Sequence, residues 1–132
     1  MVKKLRLALI GIPFDEYSSF MKGAAAAPPL IRESFHSESS NPWSETGINL
    51  GQESLIFDAG EVNLLSSKKP LADIEQAIKK LLDQSFFPIS LGGDHSITYP
   101  IIKAFSQKFE QLNVLQFDAH PDLYDEFQGN RY

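Results

Sequence analysis

Two short clusters gather imidazole and carboxylate side chains that together could bind a cation. The first is Gly92-Gly93-Asp94-His95-Ser96 and the second is Asp118-Ala119-His120-Pro121-Asp122. Together they contain two of the three histidines in the chain, with three carboxylates beside them. Imidazole and carboxylate without thiolate suit a divalent ion such as Mn²⁺, Ni²⁺, Zn²⁺ or Fe²⁺. Crowded carboxylates repel and shift each other's pKa, and a cation between them removes that cost. The i, i+2, i+4 spacing of Asp118, His120 and Asp122 puts all three on one face, provided the backbone runs extended there. Each residue also has a plainer role: Asp94 can bond its own turn, Ser96 can cap a helix, and an Asp-x-His pair can form a surface ion pair. Taken together, an unpartnered Asp–His–Asp set at the tip of an apolar segment would be costly to desolvate, which points to a metal.

Both clusters can meet only if the surrounding elements bring them to one rim. Leu5 to Phe14 is an apolar run with almost no alternation, as in a strand buried on both faces. A helix is expected from Pro28 or Pro29 through Phe35, because proline is tolerated in a first turn. Ser37 to Gly51 reads as a surface loop, with Trp43 packing the loop or a subunit contact. Ser54 to Gly60 forms a second strand. Apolar residues at 71, 74, 77, 78, 81 and 82 then make one stripe of a helix between Pro70 and Phe86. A third strand, Phe86 to Leu91, stops at Gly92-Gly93, whose glycines allow a sharp turn and close backbone approach. A helix from Ser96 to Phe109, with Ser96 as N-cap, leads to a fourth strand, Leu112 to Phe117.

This alternation predicts an α/β fold: a parallel sheet with helices on both faces, residues 1–132 forming part of one domain. Ligands of such sheets bind beyond the carboxyl ends of the strands, where both clusters then fall on adjacent strands. Phe86, Phe87, Phe105, Phe109 and Phe117 are expected in the core. His36 is expected on an exposed helix without a ligand-like neighbour.

Composition removes several classes of function. The 132 residues include 12 basic and 17 acidic side chains, a formal charge of −5, and no cysteine. Disulfide frameworks, zinc fingers, iron–sulfur sites and thiol nucleophiles are therefore excluded. No apolar run approaches the length of a membrane span. The basic residues occur at most in pairs, too sparse for a nucleic-acid face. Met1 to Ile10 reads as a strand of a cytoplasmic protein, since no small-residue cleavage pattern follows it.

The two clusters resemble the first two signature motifs of the ureohydrolases, the arginase and agmatinase family. Ile10-Gly11-Ile12-Pro13-Phe14-Asp15, the segment from Gly23 to Arg32, and Asp58-Ala59-Gly60-Glu61-Val62 are similar to further parts of it, so the resemblance covers nearly the whole chain. The tail from Asp122 to Tyr132 looks closer to agmatinase-like members than to arginases proper. The resemblance implies a three-layer α/β/α fold, here incomplete, and a site for two Mn²⁺. His95 and Asp122 would bind one ion, His120 the other, and Asp118 would bridge both as the catalytic carboxylate. Asp94 would orient His95, and Asn130 would lie near the substrate.

The implied reaction is hydrolysis of a guanidino compound to urea and an amine, by a hydroxide between the two ions. Agmatine is the first expected substrate; arginine, guanidinobutyrate and formimidoylglutamate are the rivals. Asp125 and Glu126 could attract a cationic substrate, or simply solvate the loop. Full members of the family carry a later Asp-x-Asp pair, which this sequence lacks. The 132 residues are therefore expected to be the N-terminal portion of a longer, homo-oligomeric enzyme and poorly active alone. The alternative is a non-catalytic metal-binding or regulatory piece. A metallophosphoesterase fits less well, because its Asp-x-His precedes its Gly-Asp motif, and a deacetylase-like site lacks the Gly-Gly-Asp-His turn.

Overall fold

The computed structural model describes residues 5–51, 55–120, 122, 125, 126 and 129. Three parallel strands, β1 (Arg6–Ile12), β2 (Ile56–Glu61) and β3 (Phe86–Gly92), form one sheet in the order β2-β1-β3. The most apolar strand, β1, is central: Ala8 and Ile12 are fully buried, and Leu9 and Ile10 between them nearly so. Its register with β3 is unbroken from Arg6↔Phe86 to Ile12↔Gly92, whereas pairing with β2 is irregular between Leu9 and Gly11.

Helix α1 (Ala27–Phe35) connects β1 to β2, and α2 (Pro70–Asp83) connects β2 to β3. The two connections run in opposite directions across the sheet, so crossovers of the same right hand put them on opposite faces. In α2, the predicted stripe buries Ile74, Ile78, Leu81 and Leu82, and the fully buried Ile74 and Ile78 each contribute about 2 kcal/mol. Helix α3 (Thr98–Lys108) packs along α2. Glu75 bonds both Lys103 (2.8 Å) and Gln107 (2.6 Å) of α3 across that contact.

Three expectations change. Ser96 is not the N-cap; Asp94 is, accepting the Ser96 backbone N–H at the start of a 3-10 turn, His95–Ile97, that precedes α3. The carboxylate two residues earlier accepts the free Ser96 amide, whereas Ser96 lies inside the turn. The expected fourth strand at Leu112 to Phe117 is not formed: among the described residues no strand follows β3. A strand needs a ladder partner, and this segment has none among them. Its phenylalanine is consequently not core, Phe117 being 92% exposed, and Phe87 and Phe109 are also exposed. Phe86 and Phe105 do pack against the core. Within the 37–51 loop, an antiparallel bridge joins Trp43 to Asn49 and leaves the indole exposed.

Candidate metal centre

In the order β2-β1-β3 the connection from β1 leads to one side and β3 lies on the other, a switch point at which ligands of such sheets bind beyond the carboxyl ends of the strands; here the loop after β1 meets the turn after β3. Gly92 and Gly93 make the turn that starts there. A side chain on Gly92 would place its Cβ 2.2 Å from Cδ1 of Ile97. On Gly93 it would lie 1.9 Å from the Phe14 carbonyl oxygen. Only glycine lets the turn fold this tightly against β1 and project His95 outward.

His95 Nε2 lies 3.0 Å from Asp122 Oδ2. One ligand atom each from His95, Asp118 and Asp122 falls within 4.8 Å of the others, and all three residues are exposed. One nitrogen and two carboxylate oxygens so grouped fit a divalent cation. The backbone N–H of His120 donates to Asp118 Oδ1 at 2.9 Å. That bond, helped by the nearby imidazoles of His120 and His95, holds the Asp118 carboxyl below its usual pKa and keeps it anionic.

Asp118, His120 and Asp122 do not share a face through an extended backbone. The chain bends at residues 119 and 120, and Asp122 adopts a positive φ of 48°. Asp tolerates this left-handed conformation, and the bend carries Asp122 to His95. The same bend turns His120 outward: its side chain is 81% exposed, with Nδ1 3.5 Å from Asp118 Oδ1. His120 thus stands beside the three-residue group rather than within it. Gln116 supports the bend, donating to Asp122 Oδ2 at 3.2 Å.

Asp94 does not contact the His95 ring. Its carboxylate accepts N–H groups from Tyr17 and Ser96. Thr98 provides the contact to His95, its Oγ1 standing 3.2 Å from Nδ1. The sequence reading overlooked Thr98, although i, i+3 spacing across the start of a helix was the available signal. Asp125 and Glu126 are exposed, and Asn130 lies outside the described residues.

A second polar cluster was also missed. Arg32 of α1 bonds both oxygens of Asp58 (3.0 Å from Nε and from Nη2) and Glu61 (3.1 Å), while His36 Nε2 lies 2.5 Å from Asp58. His36 therefore has a carboxylate neighbour after all, contributed by β2. Burial pushes the Asp58 pKa up, but bonds from Arg32, the Gly60 N–H and His36 outweigh it and hold the group at about 2.

An open cleft of about 1110 Å³ adjoins the candidate cation site, with Tyr17, Ser18 and Ser19 on one side and His95, His120 and Asp122 among the residues of its wall.

Comparison with known proteins adds to this geometry. The arginase family model matches residues 5–132. The mitochondrial arginase of Medicago truncatula is 39% identical over 134 residues, covering 95% of this chain and 40% of that protein. An agmatinase of Bacillus cereus is 34% identical over 127 residues, covering 94% and 43% respectively. The solved structure of the Medicago truncatula arginase superposes with a TM-score of 0.86 at 38% identity, covering 96% of this chain and 42% of that one. The chain thus spans about 40% of the length of the relatives it matches.

Proposed function

This chain belongs to the arginase family, and from that premise we propose that it takes part in hydrolysis of a guanidino compound to urea and an amine. The observation that carries the reading is the convergence of His95, Asp118 and Asp122, of which His95 and Asp122 line the cleft. A guanidinium carbon is a poor electrophile, and divalent cations, Mn²⁺ in this proposal, would supply acidified water and stabilise developing charge. His95 Nε2, Asp118 and Asp122 would hold one ion, with Asp118 also facing a second ion beside His120. Thr98 orients the His95 ring through Nδ1, and the His120 N–H fixes one Asp118 oxygen. Asp125 and Glu126 add negative charge that favours a cationic substrate.

Agmatine is the substrate assigned first, from the resemblance of the tail after Asp122 to agmatinases. A second reading, arginine, is favoured by the higher identity with the Medicago truncatula arginase, 39% against 34% for the Bacillus cereus agmatinase. The residues at hand are read as part of one larger catalytic domain. Urea release from agmatine and from arginine with added Mn²⁺ tests the proposal, on this chain and on a protein whose reading frame continues past Tyr132. Release by the longer protein with little by the shorter is the expected result. Absence of urea from both, with either substrate, would refute the hydrolase reading.

A further inference from the structure

We propose that Asp94 is a positioning residue that holds the loop after β1, one wall of the cleft, against the turn carrying His95. Its consequence for substrate rests on the guanidino-hydrolase reading.

Asp94 is bonded in two directions. Its backbone N–H donates to the Phe14 carbonyl at 2.8 Å, and its Oδ2 accepts the Tyr17 N–H at 2.9 Å. Its Oδ1 accepts the Ser96 N–H at 3.0 Å and the Ser96 hydroxyl. One oxygen thus serves the loop and the other serves the turn. Gly93 lies so close to the Phe14 backbone that no side chain could separate loop from turn there. Phe14 is buried, and its ring meets that of Tyr17 edge-on at 5.2 Å. At the far end, Asp15 Oδ2 accepts the Gly23 N–H at 2.6 Å and the Ala25 N–H at 3.1 Å. The loop is therefore tied at both ends, and Asp94 makes the tie nearest the cleft.

The stretch so held contains Tyr17, Ser18 and Ser19, which line the cleft together with His95 and Asp122. Contacts to the His95 ring come from Thr98 and Asp122. Removing the Asp94 carboxylate should release the cleft wall and leave cation binding nearly intact. Asparagine at this position offers a single carbonyl oxygen and sets an amide donor against one of the two N–H groups.

Amide hydrogen exchange on the 132-residue chain, with Mn²⁺ titration, tests the proposal. In Asp94→Asn, exchange at Tyr17 is expected to rise about tenfold, while Ile10 in β1 keeps its protection and Mn²⁺ affinity stays within about threefold. Ser96→Ala, which removes only the hydroxyl donor, should leave Tyr17 unchanged and serves as the control. In a protein that turns over agmatine, Asp94→Asn should raise KM about tenfold with kcat within about threefold. Unchanged Tyr17 exchange overturns the proposal, whether Mn²⁺ affinity holds or falls. A loosened loop with unchanged KM overturns its role as a cleft wall. Should no guanidino compound be hydrolysed while Tyr17 exchange still responds, the hydrolase reading fails and the tie between loop and turn stands.

Discussion

The His95 imidazole stands 3.0 Å from a carboxylate oxygen of Asp122, joining the turn after β3 to a segment beyond α3. These two stretches share no strand ladder among the described residues, so side chains make the link. In the absence of a cation this exposed contact carries small energetic weight. On the proposed reading both would be ligands of one cation, which would then anchor the segment at Asp118 and Asp122.

Cation affinity should therefore depend unequally on the two histidines of the clusters. His95→Ala should weaken Mn²⁺ binding at least tenfold in isothermal titration, whereas His120→Ala, whose ring is 81% exposed and outside the three-residue group, should cost less than about threefold in this chain. Equal losses in the two variants would mean that His120 shares the same ion.

Thr98→Val removes the hydroxyl 3.2 Å from His95 Nδ1 and keeps the side-chain shape. Metal-binding imidazoles need a partner on the other ring nitrogen, so Mn²⁺ affinity should fall about tenfold. The urea midpoint should shift little, because Thr98 is at the first turn of α3 rather than in the core. An unaltered Mn²⁺ titration would remove Thr98 from the site.

The Arg32–Asp58 pair should make stability sensitive to acid. The folded-state pKa of Asp58, about 2, lies below its ordinary value of 3.8. Its contribution is then fully present above pH 3.8 and is lost as the pH falls through about 2. After allowance for solvent screening this amounts to about 1 kcal/mol. Arg32→Met, which leaves Asp58 and Glu61 without their cation, should cost about 2 kcal/mol at pH 7 and flatten that acid dependence. Urea denaturation of both proteins between pH 2 and pH 7 measures both effects, and parallel pH curves would exclude the pair as their source.

Gly93→Ala should be poorly tolerated. Its Cβ would fall 1.9 Å from the Phe14 carbonyl oxygen, a backbone atom of the central strand's own loop that cannot swing aside. Overpacking of this kind should cost about 3 kcal/mol, read as a lowered urea midpoint. A loss under about 1 kcal/mol would show that the turn can back away from β1 freely.

By itself the sequence determined most of the local structure. The stripe from Leu71 to Leu82 specified α2, the apolar run from Leu5 to Phe14 contained the buried β1 (Arg6–Ile12), and β3, expected to stop at Gly92-Gly93, runs one residue further, to Gly92. These are short-range features, set by periodicity and by the conformational freedom of glycine. It also singled out His95, Asp118, His120 and Asp122 as candidate ligands, because their types and clustering are visible along the chain, and the structure groups three of the four. Only the tertiary structure decided the order β2-β1-β3, which brings Tyr17 to Asp94 beside one cleft. It likewise paired Arg32 and His36 with Asp58, turned His120 outward and left Leu112 to Phe117 without a ladder. The physical reason is common to all of these. Strand pairing and ion pairing are made between residues distant in sequence, and the local pattern of a segment does not contain the identity of its partner.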